Sequence, residues 1–228
     1  MDSAEGKLYI IATPIGNMKD ITFRAIETLK EVDYLLCEDT RRSLKLLNHY
    51  QIRKRLESYF LGNEGKKLNM VLNDLLSGKV IGLVSEGGTP CISDPGNLLV
   101  RSCHEKGIPV VPIPGASALS TALSVSGIAD RISVFVGFLP RSRKKINKVM
   151  AQISQYNGNI ILYESPYRIK SLLELIHKNF GNVKIFLFKE LTKIFENVSI
   201  NNVKNILAEI DNRNFKGEYI VIFNKEIC

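Results

Sequence analysis

Three short segments in the first half of the chain combine glycine and proline with small polar residues. They span residues 12–17 (ATPIGN), 85–96 (SEGGTPCISDPG) and 112–118 (PIPGASA). Each follows a short apolar run that predicts a buried strand, and ligands of open α/β sheets bind outside the carboxyl ends of such strands. Glycine lets a ligand approach the backbone closely. One such turn is most often an ordinary connection, but three in one half favour a small-ligand site.

Glu86 narrows the chemistry of that ligand. It directly precedes Gly87 and Gly88, and a carboxylate beside a glycine turn repels phosphate in a partly dehydrated site. The same carboxylate suits a sulfonium, an amino group or ribose hydroxyls, and S-adenosylmethionine carries all three. The alternative is that Glu86 points into solvent.

Two common nucleotide-binding motifs are absent from the sequence. The chain has no phosphate loop of the GxxxxGKS/T type and no GxGxxG after its first strand. The sequence therefore gives little reason to predict a kinase, a nucleoside triphosphatase or a dinucleotide oxidoreductase.

Strand-like and helix-like segments alternate through this half. Strands are predicted at residues 7–13, 33–37, 80–85 and 110–113, and helices at 41–50, 66–77 and 116–126. This alternation predicts a mostly parallel sheet with helices on both faces. The helix at 116–126 is rich in small residues, which leave room either for a flat ligand or for close packing on the sheet.

Two further helices are predicted from their end signals. One begins after Asp20 or Thr22, and it places Ala25, Leu29 and Val32 on a single face. The other is framed by Asp94 as N-cap, Pro95 as the first helical residue and Gly107 just past the end.

The second half begins with a basic segment at residues 140–148 (PRSRKKINK). Strands follow at 159–163, 184–189 and 218–223, and helices at about 167–179 and 203–211. We therefore predict two α/β lobes, residues 1–138 and 139–228.

Composition limits the partners and the compartment. The chain has 228 residues and a formal net charge of +8, which favours RNA, DNA or an anionic membrane as partner, or serves solubility alone. Its four cysteines (Cys37, Cys91, Cys103 and Cys228) form no CxxC, and its three histidines are far apart, so no metal site is predicted. The apolar run at residues 8–12 is too short for a signal peptide or a membrane span. A soluble cytoplasmic protein is expected.

Eight motifs in order carry a family resemblance. They are ATPIGNMKDITFRA, CEDTRRS, LVSEGGTPCISDPG, VVPIPGASAL, FVGFLPR, LYESPYR, KELTK and KGEYIVI, within residues 7–224. The chain thereby resembles the ribosomal RNA small subunit methyltransferase I family, the 2′-O-ribose methyltransferases of the tetrapyrrole-methylase superfamily. Two positions depart from the family pattern: Glu86-Gly87-Gly88 replaces the usual Asp-Ala-Gly, and Cys91 stands where glycine is common.

The resemblance implies a tetrapyrrole-methylase-like α/β fold with S-adenosylmethionine in a cleft between the two lobes. It implies a homodimer that methylates the 2′-hydroxyl of a cytidine of 16S ribosomal RNA, at the decoding centre of the small ribosomal subunit. RNA binding is expected to fall to the methylase core, without the short C-terminal extension of some relatives. The cofactor-binding residues are predicted to be Pro14, Ile15, Gly16, Ser85, Glu86, Gly87, Gly88, Thr89, Ile92, Ser117, Ala118, Glu164, Ser165, Leu191, Lys216, Gly217 and Glu218.

A ribose hydroxyl is a weak acid, so a carboxylate that accepts its proton would help the reaction. The candidates are Glu38, Asp39, Asp94, Glu164, Glu190 and Glu218. Asp39 and Glu190 are predicted first, and the alternative for each is a helix cap or an ion pair.

RNA contacts are predicted for ten basic residues. They are Arg41, Arg42, Arg53, Lys54, Arg55, Arg141, Arg143, Lys144, Lys145 and Lys148. The last five form the strongest basic run, and the alternative for that run is a solvated linker. Two other functions stay open: a methyltransferase of the same fold that acts on a porphyrin precursor or a protein, and a non-catalytic RNA-binding assembly factor.

Overall fold

A computed structural model of the chain describes residues 6–128, 132–210 and 216–226. The chain divides into two compact units, Met1–Ser117 and Ala118–Cys228. The predicted lobe boundary at 138/139 thus falls inside the second unit. Residues 133–138 form a strand of the second sheet, and the helix Ala118–Ser126 contacts the strand Tyr219–Asn224 of the same sheet.

The first unit is built on a five-stranded parallel sheet. Its strands are β1 (Lys7–Ile11), β2 (Tyr34–Cys37), β3 (Arg55–Ser58), β4 (Val80–Val84) and β5 (Val110–Ile113). Its helices are α1 (Phe23–Glu31), α2 (Thr40–His49), α3 (Glu64–Leu76) and α4 (Asn97–Glu105). The strand order is β3-β2-β4-β1-β5 and every neighbouring pair is parallel. All five carboxyl ends therefore lie at one edge.

Helices cover both faces of this sheet, as the alternation predicts. Leu35 of β2 belongs to a core formed with α1 and α2. Leu36, the next residue, belongs to a separate core formed with α3 and α4. Successive strand side chains point to opposite faces, so β2 contributes to both cores.

One of the two predicted helix caps is confirmed and the other is wrong. The Thr22 hydroxyl accepts the N–H of Ala25 at 3.1 Å and caps α1. The N-cap of α4, however, is Gly96 and not Asp94. The backbone makes an additional turn before the helix, with Ser93 and Gly96 both at positive φ, and the buried Glu64 carboxylate accepts the N–H of Gly96 at 2.7 Å.

The second unit contains a mixed sheet. Its strands are β6 (Ser133–Phe138), β7 (Asn159–Glu164), β8 (Lys184–Lys189), β9 (Asn197–Asn202) and β10 (Tyr219–Asn224), in the order β6-β7-β10-β8-β9. Its helices are α5 (Ala118–Ser126), α6 (Arg143–Ile153), α7 (Ile169–Phe180) and α8 (Val203–Ile210). Strands β6 and β7 are parallel, and the other pairs are antiparallel. The predicted final residue of α8, residue 211, lies outside the described residues, as does Cys228.

This topology brings several connections to one edge of the second sheet. Tyr219 at the start of β10 lies opposite both Glu164 and Lys189, the last residues of β7 and β8. Phe138, the last residue of β6, pairs with Tyr163. We call this the loop edge of the second sheet. The carboxyl ends of β6, β7 and β8 and the start of β10 all lie there.

Candidate functional site

The three glycine- and proline-containing turns meet at the carboxyl edge of the first sheet. Thr13 and Gly88 exchange two backbone hydrogen bonds of 2.9 and 2.8 Å, which join the first turn to the second. The Thr89 hydroxyl donates to the Ala116 carbonyl at 3.2 Å and joins the second turn to the third. The three turns singled out in the sequence therefore lie in direct contact with one another.

Gly88 occupies a position that only glycine fits without strain. Its φ is +87°, and a Cβ there would lie 3.2 Å from Cγ2 of Ile15. Gly87 does not have a positive φ, but a Cβ on it would come within 3.0 Å of the Pro14 carbonyl oxygen. The first two turns thus approach each other backbone to backbone, and side chains would fill the space between them.

Thr13 supplies a hydrogen-bonding group at this junction. The residue is buried, and its hydroxyl has no hydrogen-bond partner within the described residues. Buried hydroxyls almost always have a partner, since leaving one unpaired costs roughly 1–3 kcal/mol. An unpaired hydroxyl beside a glycine cradle fits a site that receives a polar ligand. Thr13 is not among the residues predicted from the sequence, although it lies within the first turn.

A charged cluster lies beside the turns. Arg42 from α2 forms an ion pair with Glu86, and both side chains stay exposed to solvent. Burial, followed by the charge of nearby Glu86, raises the pKa of Glu38, whereas Arg42 lowers it. Two carboxylates with one guanidinium retain a negative surplus when ionised, which suits a cationic ligand better than a phosphate.

Asp39 follows Glu38 and caps α2. Its carboxylate accepts the backbone N–H of Arg41 at 2.8 Å and pairs with the Arg41 guanidinium at 2.9 Å. These hydrogen bonds lower the pKa of Asp39 to about 2. The structure therefore gives Asp39 the capping role that was the alternative to catalysis.

The backbone conformation at Cys91 explains why glycine is common at this position in the family that the sequence resembles. Cys91 has a φ of +68°, in the left-handed region where glycine is favoured. A glycine, common here in the family that the sequence resembles, would adopt this backbone without strain. Burial raises the pKa of the Cys91 thiol to about 11, so the thiolate needed for nucleophilic chemistry is scarce at neutral pH.

In the second unit, Glu164 anchors a turn at the loop edge. The side chain is 2% exposed and accepts the N–H of Ser165 at 2.7 Å. Its other oxygen pairs with Arg168 at 3.0 Å, and Arg168 also donates to the Leu139 carbonyl at 2.8 Å. The segment after β7 is thereby tied to the segment after β6.

Glu190 is the centre of a second anchored turn at this edge. Its Oε1 accepts the Lys193 ammonium at 2.9 Å and the Glu218 N–H at 2.8 Å. Burial raises the pKa of Glu190, but the hydrogen bonds from Lys193 and Glu218 outweigh it and lower the pKa overall. Gly217 must be glycine, because its φ is +106° and a Cβ would lie 2.5 Å from Cγ of Glu190. Sequence reasoning missed Lys193, which bridges Glu190 and Glu218.

The remaining predicted residues divide between the two units. In the first unit, the first turn contains Pro14, Ile15 and Gly16, and the second turn contains Ser85 to Thr89. The third turn ends close to Ser117, and Ile92 is exposed beside Cys91. In the second unit, Ala118 opens α5, Leu191 is buried in the turn after β8, and Lys216 to Glu218 lead into β10.

The predicted RNA-contacting residues differ in whether they already have a partner. Arg41, Arg42 and Arg55 form ion pairs with Asp39, Glu86 and Glu57. Lys54 donates to the Val32 carbonyl, and Arg53 is exposed.

The basic segment of the second unit is different. Arg141, Arg143, Lys144, Lys145 and Lys148 are all exposed, and no carboxylate of the described residues pairs with them. The last four of these residues belong to the first two turns of α6, and the later turns of that helix bury Met150 and Ile153. The basic segment is therefore mostly part of a packed helix with exposed cations at its start and not a linker.

Among the described residues, no group of three or more His, Cys, Asp and Glu side chains could hold a metal ion. No helix in the described ranges is long and apolar enough to cross a membrane.

The chain matches proteins of known family over most of its length. The Tetrapyrrole (Corrin/Porphyrin) Methylases family matches residues 7–207. A Haemophilus influenzae protein named ribosomal RNA small subunit methyltransferase I is 45% identical over 97% of this chain and 80% of its own length. A Thermotoga maritima protein of the same name is 40% identical over 96% of this chain and 98% of its own length. This chain belongs to the ribosomal RNA small subunit methyltransferase I family. The predicted family and methyltransferase class are thereby confirmed.

Solved structures support the fold of this methyltransferase. A diphthine synthase superimposes with a TM-score of 0.74 at 15% identity and covers 95% of this chain and 89% of its own. A uroporphyrin-III-C-methyltransferase from Thermus thermophilus superimposes with a TM-score of 0.69 at 17% identity, over 96% of this chain and 94% of its own. The tetrapyrrole-methylase-like α/β fold is confirmed. At such low identity the likeness concerns fold alone.

Proposed function

We propose that this methyltransferase transfers a methyl group from S-adenosylmethionine to the 2′-hydroxyl of a cytidine in 16S ribosomal RNA, at the decoding centre of the small subunit. The observation that carries the proposal is the match to relatives named for small-subunit ribosomal RNA at 40–45% identity. The exposed cations at the start of α6 support a polyanionic substrate over a protein, and the names of the relatives favour RNA over a porphyrin precursor.

The residues of the first unit fit the cofactor. Gly87 and Gly88 leave the approach open, and the unpaired Thr13 hydroxyl offers a hydrogen bond. Glu86 and Glu38 provide negative charge for a sulfonium or an amino group. S-adenosylmethionine supplies an activated methyl group whose leaving group is a neutral thioether. In the second unit, the predicted contacts at Glu164, Leu191 and Gly217 stay predictions.

A general base for the ribose hydroxyl is also a proposal. Asp39 and Glu190 are the first candidates from the sequence, but hydrogen bonds lower the pKa of both carboxylates. A lowered pKa makes a carboxylate a weaker proton acceptor at neutral pH. Glu38 has a raised pKa and lies beside Arg42 and Glu86, so we place it ahead of the other two.

Replacing Asp39 by Asn separates capping from proton transfer. Asn caps helices about as well as Asp, so we expect Asp39→Asn to melt close to the parent. At saturating cofactor its methyl-transfer rate should stay within about tenfold of the parent, because positioned bases contribute roughly 10²–10⁴-fold. Glu38→Gln should lose more rate under the same conditions. A folded Asp39→Asn enzyme that is a hundredfold slower than Glu38→Gln would instead make Asp39 the base.

The proposed function is tested most directly in cells. Ribose methylation mapped along 16S ribosomal RNA from a strain that lacks this gene should show one missing 2′-O-methylcytidine. Purified protein should restore it on small subunits from that strain when S-adenosylmethionine is added. An unchanged map would contradict the proposal and favour a substrate of another class.

Two further properties are proposed on the strength of this assignment. The enzyme acts in the cytoplasm, where small subunits are assembled, and it works as a homodimer, as the family resemblance implies. Light scattering of the purified protein distinguishes the dimer from a monomer.

A further inference from the structure

Three exposed aromatic rings lie at the loop edge of the second sheet, outside the residues assigned above. Tyr167 is 93% exposed, Phe195 is 76% exposed and Phe138 is 53% exposed. Tyr167 follows β7, Phe195 follows β8 and Phe138 ends β6. Scattered exposed apolar residues are ordinary in soluble proteins. Three aromatic rings at one edge of a single sheet are a different arrangement.

The turn that carries Tyr167 is held firmly at both sides. On one side Ser165 donates its N–H to the buried Glu164 carboxylate at 2.7 Å. On the other, Arg168 binds both Glu164 and the Leu139 carbonyl. Its backbone N–H also donates to the Ser165 carbonyl at 3.1 Å. The ring is thus exposed while its backbone is fixed.

The turn that carries Phe195 is fixed by a different set of contacts. Glu190 and Thr192 both have positive φ, at 53° and 63°, a conformation that non-glycine residues hold only when their surroundings enforce it. Lys193 provides that enforcement by pairing with Glu190 and Glu218 at 2.9 and 3.0 Å. The Glu196 N–H then donates to the Lys193 carbonyl at 3.1 Å, which brackets Phe195.

Positive charge is concentrated in the same unit. Ala118–Cys228 contains 16 Lys and Arg against 9 Asp and Glu, whereas Met1–Ser117 contains 15 against 14. The unpaired cations Arg141, Arg143, Lys144 and Lys145 follow β6 and therefore start from the loop edge. A partner at this edge must be polyanionic and must offer flat faces to the rings.

Single-stranded RNA has both properties. Its phosphates meet Arg and Lys, and its unpaired bases stack on aromatic side chains. Duplex RNA keeps its base faces stacked within the helix and offers none of them to the rings. We propose that Tyr167, Phe195 and Phe138 form a stacking surface for unpaired RNA bases, next to cations that bind the RNA backbone. This inference rests on the proposed function and specifies that the substrate presents unstacked nucleotides.

A tryptophan probe tests the stacking directly, because the chain contains no tryptophan. Tyr167→Trp places a single indole at the loop edge. Tyr156→Trp is the matched control, since Tyr156 is 49% exposed and lies between α6 and the start of β7, at the opposite edge. An unstructured oligouridine of about 12 nucleotides should quench the fluorescence of Tyr167→Trp and leave that of Tyr156→Trp unchanged. Equal quenching in both variants, or none in either, would overturn the proposal.

Alanine variants measure the contribution of each ring. Tyr167→Ala and Phe195→Ala should each weaken oligouridine binding about tenfold, whereas Tyr167→Phe and Tyr156→Ala should bind like the parent. The salt dependence should not change, because no charge is removed. A parent that binds a fully paired RNA hairpin as tightly as oligouridine, or alanine variants with the parent's affinity, would show that no stacking surface exists.

The proposed function has a separate readout. If the parent methylates small subunits while the alanine variants keep full oligouridine affinity, the stacking surface is wrong and the proposed function stands. If the parent does not methylate small subunits but the tryptophan probe responds as expected, the proposed function fails and RNA stacking stands.

Discussion

Gly88→Val should abolish binding of S-adenosylmethionine while the protein still folds. Gly88 has a φ of +87°, and its backbone forms two hydrogen bonds with Thr13 that hold the first two turns together. A valine Cβ would lie 3.2 Å from Ile15, and the branches beyond it would fill the cradle that the proposed cofactor needs. We expect no heat of binding in a calorimetric titration, with the circular dichroism spectrum of the parent retained.

The matched control for backbone strain is Gly107→Val. Gly107 also has a positive φ, at +69°, but a Cβ there meets nothing within 4 Å, and the residue lies past the end of α4. Both variants should lose stability, by about 1–3 kcal/mol for the left-handed backbone, and only Gly88→Val should lose the cofactor. If Gly88→Val binds with the parent's affinity, the turn at residues 85–89 is not part of the site. Equal loss in both variants would point to a general effect on folding.

The sequence places the three turns at the carboxyl ends of predicted strands, and the strand ends of a parallel sheet share an edge, which is why the turns lie together in the structure. The rule needs only the apolar runs and the turn residues, and both are visible at Ala12–Thr13 and Ser85–Gly88. The partners of the charged residues are not visible in this way. The ion pair of Arg42 with Glu86 and that of Lys193 with Glu218 join residues far apart in the chain, and no local pattern specifies them.

The helix cap predicted at Asp94 is a second case in which a local pattern does not reveal a tertiary contact. Ser93-Asp94-Pro95 has the residue types of a helix start, and the local rule therefore places the cap at Asp94. A carboxylate from α3, that of Glu64, instead binds the N–H of Gly96 and moves the start of the helix beyond the proline. A tertiary contact here overrides a correct local preference.

Strands β3, β6 and β9 were missed for reasons that lie in their composition. The edge strands β3 and β9 read RLES and NVSINN, and they are too polar or too short to show strand periodicity. Strand β6 contains Gly137 at a φ of +68°, and its register shifts between Phe135 and Gly137. A bulge of this kind breaks the alternation by which a strand is recognised.

Removal of three charges from the start of α6 should separate RNA binding from cofactor binding. Arg143, Lys144 and Lys145 are exposed and unpaired among the described residues, and the helix is held by the buried side chains of Met150 and Ile153 in its later turns. Replacing the three by Ala should therefore leave the fold and the affinity for S-adenosylmethionine unchanged. Binding to small subunits should fall about a hundredfold if these groups contact phosphates. The slope of log affinity against log salt should flatten by up to about 0.9 for each lost contact.

The control removes the same charge from the opposite edge of the same sheet. Lys178 lies in the last turn of α7, Lys184 begins β8 and Lys204 lies in the first turn of α8, all away from the loop edge. The Lys178→Ala, Lys184→Ala, Lys204→Ala triple variant lowers the net charge of the second unit equally, so it reports any effect of charge in general. Filter binding of small subunits across a salt series compares the two. If the two triple variants have equal affinities and equal salt slopes, the positive surplus acts only as a diffuse field and α6 does not anchor ribosomal RNA. An anchor would lose discrete phosphate contacts when its own side chains are removed.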